Sequence, residues 1–277
     1  MFNESALTFE CDQRRLAAIL HAGDSEASVG VVVVVGGPQY RVGSHRQFVH
    51  LARHLADKGI PTLRFDVTGM GDSAGEKRPF DQLDADLRAA VDALLQQQPQ
   101  LQGVVLWGLC DGASAALLYA PRDRRIKGLV LVNPWLEDAQ AQAQARLWDY
   151  YLKRLLSVDF WRKFLRGKVA VGGALGELGH TVAQSQQHTK AEQCVSYQQR
   201  MLSAFSAIQI PVQLLLCGED LTAREFEYQF NHRADWRRPR KDKQINVVSL
   251  PDADHTCSTR QWKQQLAEHT LGFVSAL

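Results

Sequence analysis

Two short turns in this sequence place a nucleophilic side chain between glycines. The first reads GDSAG around Ser73 and matches the G-x-S-x-G pattern that surrounds many nucleophilic serines. The second reads GLCDG and has Cys110 in the central position. A serine or cysteine held in this way can attack a carbonyl carbon if a neighbouring base takes up its proton. The two turns are therefore competing candidates for the same chemistry.

The flanking residues favour the cysteine turn. A nucleophile elbow needs a buried strand that ends directly at the turn, glycines that allow close backbone approach, and a helix whose N-terminus points at the reacting oxygen. VVLW precedes GLCDG and the small residues of ASAALLYA follow it, whereas VTGM separates GDSAG from its strand and the charged EKRPF follows. We therefore predict that Cys110 is the nucleophile and Ser73 is not. The alternative role for Cys110 is that of a small buried apolar side chain.

The base and the acid that such a thiol needs are expected after it along the chain, the acid first. His255, in LPDADHTCS just past the last predicted strand, is the best placed of the nine histidines. Asp220, in LLLCGEDLTAREF, follows the preceding strand and is the predicted acid, with Glu219 left open beside it. Glu137 and Asp138 are the fallback for the acid. An imidazole close to the thiol would stabilise its thiolate.

One pair of histidines has a spacing that also occurs in metal sites. His50 and His54 are four residues apart on a predicted surface helix, but no cysteine or carboxylate ligand pattern accompanies them, and the sequence has no H-E-x-x-H motif. We predict two solvated side chains, no metal and no cofactor.

Strands and helices alternate along most of the chain, which predicts an α/β fold with about eight strands in a mostly parallel sheet. VGVVVVVGG is the run of β-branched residues expected of a strand buried on both faces. The alternation breaks between residues 134 and 210, where aromatic and aliphatic residues recur at helical spacing around a glycine-rich segment. We predict a core made of residues 1–133 and 211–277, and an inserted helical cap at 134–210.

The predicted cap carries aromatic and basic side chains that bear on substrate binding. Trp148 and Tyr151 are interpreted mainly as cap packing, with substrate contact as the alternative. The segment 146–168 has far more basic than acidic residues, and HRADWRRPRKDK adds a second basic run. Most such charges only solvate a surface, and the alternative is attraction of an anionic or carrier-bound substrate.

Composition sets the remaining limits. The chain has 277 residues and a formal net charge of +2, which gives no indication of nucleic-acid binding. Its five cysteines are scattered and odd in number, which favours free thiols in a reducing compartment. The sequence shows no basic-then-apolar leader and no apolar run long enough to span a membrane. We predict a cytoplasmic protein without a membrane span, and its oligomeric state stays open.

Four segments together resemble the α/β-hydrolase superfamily over essentially the whole chain: FDVTGMGDSAG, GLCDGAS, GEDLTAREF and DADHT. With GGPQYRVGSHRQF after the third strand, they are similar more narrowly to the exosortase A system-associated hydrolases of bacterial exopolysaccharide clusters. The resemblance implies a triad of Cys110, Asp220 and His255. It also assigns a supporting loop after the fourth strand to Asp66, Gly69, Gly71, Ser73 and Gly75.

The resemblance further implies an oxyanion hole, in which backbone N–H groups bind the negative charge that develops on the carbonyl oxygen of the substrate. One N–H would come from Asp111. In related enzymes another lies soon after the glycine of the third strand, but here that neighbourhood holds Pro38, which has no N–H. Gln39 or Tyr40 is then expected to supply it, and Tyr40 is also a candidate substrate contact.

The implied function is hydrolysis of an acyl ester or thioester of a small molecule. Two alternatives stay open: an acyltransferase that uses the same acyl-cysteine, and a catalytically idle protein of this fold that binds a partner or ligand. The reactivity of Cys110 separates the idle protein from the two enzymes, because an idle fold does not need an activated thiolate.

Overall fold

The computed structural model describes residues 4–136 and 196–277. Eight strands form one sheet within these ranges. They are β1 (Glu4–Cys11), β2 (Arg14–His21), β3 (Val29–Val34), β4 (Thr62–Phe65), β5 (Gly103–Leu109), β6 (Ile126–Val132), β7 (Val212–Glu219) and β8 (Ile245–Asp254). The α-helices of the described ranges are α1 (Gln47–Asp57), α2 (Asp84–Gln97), α3 (Asp111–Tyr119), α4 (Tyr197–Ala207), α5 (Leu221–His232), α6 (Ala234–Arg240) and α7 (Arg260–Val274).

The sheet has the order β1-β2-β4-β3-β5-β6-β7-β8. β2 runs antiparallel to both of its neighbours, and the pairs from β4 through β8 are all parallel. The predicted eight-stranded, mostly parallel α/β-hydrolase fold is therefore confirmed. Because parallel strands all end at the same edge, the segments that follow β3, β5, β6, β7 and β8 meet at the carboxyl edge of the sheet.

The valine run of β3 shows why the central strands are so apolar. Val31, Val33 and Val35 belong to one hydrophobic cluster, and Val32 and Val34 belong to the other. Successive side chains of a strand point to opposite faces, so a strand covered on both sides must be apolar at every position. The first cluster includes apolar residues of α1 and α7, and the second includes those of α2 to α6.

Helix α4 lies within the segment that the sequence assigns to the cap. Its Met201 and Phe205 are buried, and the Phe205 ring lies 5.2 Å from the Trp236 ring of α6. Most of the predicted cap, including Trp148 and Tyr151, lies outside the described residues, as do Glu137 and Asp138. The domain boundaries therefore stay a prediction. None of the helices in the described ranges is long and apolar enough to cross a membrane.

Candidate active site

Cys110 occupies a strained turn between β5 and α3. Its backbone has φ 59° and ψ −126°, a combination that residues other than glycine rarely adopt. The turn is held on both sides: the N–H of Cys110 donates to the carbonyl of Val132 (2.9 Å), and the carbonyl of Cys110 accepts from the N–H of Trp135 (3.2 Å). The Cys110 thiol is therefore half-buried at the N-terminus of α3. This is the strand-turn-helix geometry that a nucleophile elbow requires.

Glycine is needed just after the thiol because two backbones approach each other there. A Cβ added to Gly112 would lie 2.5 Å from the carbonyl oxygen of Val34 at the end of β3. No side chain fits in that space without moving the strand or the helix. The elbow is thereby packed directly against the end of the neighbouring strand.

His255 lies between the thiol and a buried carboxylate. Its Nδ1 is 2.8 Å from Oδ2 of Asp220, whose side chain is only 6% exposed. The other carboxylate oxygen of Asp220 accepts from the N–H of Thr222 (3.0 Å) at the start of α5, which fixes the carboxylate. Hydrogen bonds to Asp220 and then to Cys110 raise the pKa of His255 to about 10, against the opposite effect of burial. The structure thus brings Cys110, His255 and Asp220 together.

Glu219, the alternative acid, is placed elsewhere. Its side chain is exposed and pairs with the guanidinium of Arg224 at 3.3 Å. The carboxylate that reaches His255 is therefore that of Asp220, and one residue along the chain separates a solvated charge from a buried one.

The loop after β3 packs against Asp111, the first residue of α3. A Cβ added to Gly36 would lie 2.1 Å from Oδ1 of Asp111 and 2.4 Å from the nitrogen of Gly112. Burial raises the pKa of the Asp111 carboxyl, while the N–H groups of Gly37 and Gly112 act in the opposite direction. The Gly37 N–H therefore acts on the Asp111 carboxyl, and the oxyanion role of the Asp111 N–H stays a prediction.

Gln39 and Tyr40 lie farther along this loop. The side-chain oxygen of Gln39 accepts from the N–H of Ser44 (3.2 Å). The carbonyl of Tyr40 accepts from the N–H of Gly43 (2.9 Å), and its side chain is 47% exposed. Their roles as oxyanion donor and substrate contact stay predictions.

Ser73 is bound into a structural loop. Its hydroxyl donates to the carbonyl of Asp66 (2.7 Å) and accepts from the N–H of Ala17 on β2 (2.9 Å). No helix begins at this turn, and the next helical residues in the chain are those of a short 3-10 turn at Phe80–Gln82. The hydroxyl therefore links two backbone segments.

The loop that contains Ser73 anchors the loop after β3. The Asp66 carboxylate is fully buried and accepts from the backbone N–H of Arg41 (2.6 Å), from its guanidinium, and from the N–H of Asp72 (2.9 Å). The guanidinium of Arg64 donates to the carbonyl of Arg41 (2.6 Å). The supporting role that the resemblance implies for the residues of this loop thus has a physical basis in the contacts of Asp66 and Ser73.

Asn133 is a positioning residue that the sequence analysis missed. It is fully buried after β6, its Oδ1 accepts from the N–H of Cys217 (2.9 Å), and its Nδ2 donates to the carbonyl of His255 (3.4 Å). One side chain therefore ties the strand that leads to Asp220 to the loop that carries His255. The only signal in the sequence is a polar residue directly after an apolar strand.

Behind this loop, Cys217 and Cys257 are buried with their sulfur atoms 3.7 Å apart. The hydrogen bond to Cys217 and burial raise the pKa of Cys257, which keeps that thiol protonated. Among the described residues, no group of three or more His, Cys, Asp or Glu side chains could hold a metal ion.

Comparison with known proteins gives a family and a fold. The family model of the S33 serine aminopeptidases matches residues 27–249. A polyketide transferase, grgF, from a Penicillium species is 30% identical over 95 residues, which is 31% of this chain and 31% of that protein. The match therefore spans about a third of the length of that relative.

Solved structures match over almost the whole chain. The Pyrococcus furiosus esterase Pf2001 aligns with a TM-score of 0.67 and 16% identity over 99% of this chain and 93% of its own. Est1E from Butyrivibrio proteoclasticus, solved with ferulic acid bound, aligns with a TM-score of 0.61 and 16% identity over 98% and 100%. Identities this low show a common fold, and the narrower resemblance to exosortase-associated hydrolases stays a prediction. The family match shows that this chain belongs to the S33 serine aminopeptidase family of α/β hydrolases.

Proposed function

We propose that this protein cleaves an acyl ester or thioester, with Cys110 as the nucleophile, His255 as the proton carrier and Asp220 as the residue that orients His255. The observation that carries the proposal is the position of His255. One imidazole lies 2.8 Å from a buried carboxylate, and its pKa is raised both by that carboxylate and by the thiol of a strained elbow. A purely structural cysteine has no need of such a partner.

In the first half of the reaction, His255 holds the proton of the Cys110 thiol and the thiolate attacks the acyl carbon. The carbonyl oxygen becomes an oxyanion, which the N–H of Asp111 and an N–H of the loop after β3 stabilise. The carbonyl re-forms as the bond to the leaving thiol or alcohol breaks, and His255 gives its proton to that group. The products are an acyl-cysteine and a neutral His255.

In the second half, neutral His255 takes a proton from water, and the hydroxide attacks the acyl-cysteine. Collapse of the second oxyanion releases the carboxylic acid and returns the thiolate beside a protonated His255. The raised pKa of His255 suits this cycle, because the imidazolium is available to protonate the leaving group at neutral pH.

A cysteine rather than a serine at the elbow favours activated acyl donors. Thiolate is a good leaving group, so a tetrahedral intermediate that also carries a poor alkoxide leaving group tends to collapse back to substrate. A thioester collapses forward more readily, because its leaving group is also a thiolate. We therefore expect thioesters to acylate Cys110 faster than matched alkyl esters.

Mass spectrometry of the quenched protein tests the proposal. The full chain is incubated with a matched acyl thioester and acyl ethyl ester, and the adduct is located by peptide mapping. We expect an adduct on Cys110, formed faster from the thioester and absent in Cys110→Ala. Ser73→Ala is the matched control and should still be acylated.

Two results would contradict the proposal. Faster acylation by the alkyl ester would remove the preference for activated donors. Absence of an adduct from every donor, together with an ordinary alkylation rate for Cys110, would instead support the idle binding fold.

Acyl transfer is the second candidate, and the similarity to a polyketide transferase favours it. The chemistry differs only in the second nucleophile, which is a sugar or alcohol hydroxyl instead of water. Adding candidate acceptors to preformed acyl-enzyme separates the two: faster loss of the adduct with a new ester as product indicates transfer.

Three finer parts of the proposal rest on the sequence. The link to exopolysaccharide and exosortase systems rests on the motif resemblance, and an anionic or carrier-bound substrate rests on the basic residues. A cytoplasmic location rests on cysteine usage.

A further inference from the structure

A groove of about 650 Å³ lies between α1 and α7 and is lined mainly by basic side chains. Its walls include His50, Arg53, His54 and Asp57 from α1, and Arg260 and Lys263 from α7. None of these residues belongs to the triad or to the loops that support it. Asp57 is the one carboxylate among the described lining residues.

Cationic side chains surround His50 at this groove. Burial lowers the pKa of His50, and the charges of Lys263, Arg46, Arg53 and Arg260 lower it further. These four cations belong to α1, to α7 and to the turn before α1. Glu4 of β1 pairs with Arg53 and neutralises part of this charge.

Lys263 and His54 at the groove differ in the hydrogen bonds of their polar atoms. Lys263 is anchored because its Nζ donates to the carbonyl of His45 (3.1 Å). The Nε2 atom of His54 is buried and has no hydrogen-bond partner within residues 4–136 and 196–277, so the prediction of a solvated side chain is wrong for His54. A buried polar atom without a partner is unfavourable unless a water or a ligand satisfies it.

We propose that this groove binds a phosphate-bearing anion. A phosphate group carries up to two negative charges and several acceptor oxygens, which match the cationic side chains of Arg260 and Lys263, with the partly paired Arg53 and the imidazole of His50 beside them. A volume of about 650 Å³ is larger than one phosphate ion and falls in the range of small-molecule sites, so it leaves room for an organic group attached to the phosphate. This binding site goes beyond the proposed acyl chemistry.

Isothermal titration of the full chain at low salt tests the proposal, with inorganic phosphate, adenosine 5′-monophosphate and adenosine as probes. We expect both phosphates to bind and adenosine to bind at least about tenfold more weakly than its monophosphate. Tighter binding of the monophosphate assigns a phosphate ester, and equal binding assigns free phosphate. Either result supports a phosphate site.

Charge reversal locates the site. Arg260→Glu and Lys263→Glu should each weaken phosphate binding by about tenfold or more, since each reverses one charge in the groove. Arg124→Glu, on an exposed arginine between α3 and β6, makes the same change in net charge and should leave the affinity within about twofold. If either glutamate variant fails to fold, Arg260→Gln and Lys263→Gln take its place.

NMR titration of His50 gives an independent readout. Bound phosphate should raise the pKa of this imidazole, because an anion offsets the surrounding cations. Equal binding of adenosine and its monophosphate, an equal loss in Arg124→Glu, or an unchanged His50 titration would overturn the proposal.

Discussion

The two glycine-flanked turns of this chain differ in what the backbone does with the central side chain. At Cys110 the chain has a strained φ of 59°, and a helix begins at the next residue. At Ser73 the hydroxyl is bound between the carbonyl of Asp66 and the N–H of Ala17. One turn presents its side chain to a histidine, and the other uses its side chain to join its own loop to strand β2.

The comparison shows that the literal motif is less informative than its context. GDSAG matches the serine pattern letter by letter, yet its serine acts as a structural hydrogen-bonding group. GLCDG departs from the pattern at the central letter but has the strand before it and the helix after it. Because the reactivity of a nucleophile depends on a base within reach, the position in the fold decides between the two turns.

The strongest test of this difference is to replace Cys110 and Ser73 by alanine in two separate variants. Cys110→Ala should lower kcat/KM for thioester hydrolysis by about 10⁴-fold or more, as loss of a nucleophile does in other triads. Ser73→Ala should still hydrolyse the thioester. Steady-state kinetics with one thioester on both variants measures the difference. Comparable turnover by Cys110→Ala would assign the chemistry to another residue.

Asp220→Asn tests the acid and should have the next largest effect. The hydrogen bond with Asp220 is the main cause of the raised pKa of His255, so the amide should lower that pKa. His255 loses its proton as the pH rises through its pKa, and kcat/KM should therefore fall near pH 10 in the wild type and at lower pH in the variant. We expect kcat to drop by about 10²- to 10⁴-fold.

Glu219→Gln is the matched control for Asp220→Asn. Its exposed side chain pairs with Arg224 and not with His255, so the pH profile of kcat/KM should stay that of the wild type. An unchanged alkaline limb of the pH profile in Asp220→Asn, or a shifted limb in Glu219→Gln, would mean that Glu219 and not Asp220 is the acid that acts on His255.

The sequence predicts the parts of this molecule that depend on local patterns. The spacing of apolar residues predicts the alternation of strands and helices, and the valines of β3 predict burial on both faces. The elbow is predictable because its strand, glycines and helix are contiguous in the chain.

Contacts between distant residues could not be predicted in the same way. The bonds of Asn133 to Cys217 and His255 join segments more than 80 residues apart, and no periodicity encodes them. Asp220 and Glu219 differ by one position at the end of β7, where a register shift occurs between Cys217 and Glu219. Such irregularities depend on tertiary packing, so the sequence left both acids open.

Gly36→Ala tests whether the loop after β3 supports the chemistry at the Cys110 turn. The added Cβ would lie 2.1 Å from Oδ1 of Asp111 and 2.4 Å from the nitrogen of Gly112, so the loop after β3 must move away from the elbow. We expect kcat to fall by about 10²- to 10³-fold as N–H donors lose their alignment. The free energy of unfolding should fall by about 1 to 3 kcal/mol.

The control for Gly36→Ala is Gly272→Ala in α7. A Cβ at Gly272 meets nothing within 4 Å, and alanine is the better helix former by about 0.5 to 1 kcal/mol. This variant should keep its activity and gain slight stability in denaturant unfolding. Full activity in Gly36→Ala would mean that the loop after β3 supplies no oxyanion donor.

Ser73→Ala has the smallest expected effect and isolates the structural role of the second turn. Removing the hydroxyl leaves the N–H of Ala17 and the carbonyl of Asp66 without this partner, which should cost about 1 to 3 kcal/mol of unfolding free energy. Tm should fall by several degrees, at roughly 2 to 4 °C per kcal/mol. Ser206→Ala removes an exposed hydroxyl that bonds only to the Leu202 carbonyl of the same helix, and it should change stability by about 0.5 kcal/mol or less. Loss of all activity in Ser73→Ala with an unchanged Tm would reverse the comparison. Such a serine would act as a nucleophile and not as a hydrogen-bonding link between two backbone segments.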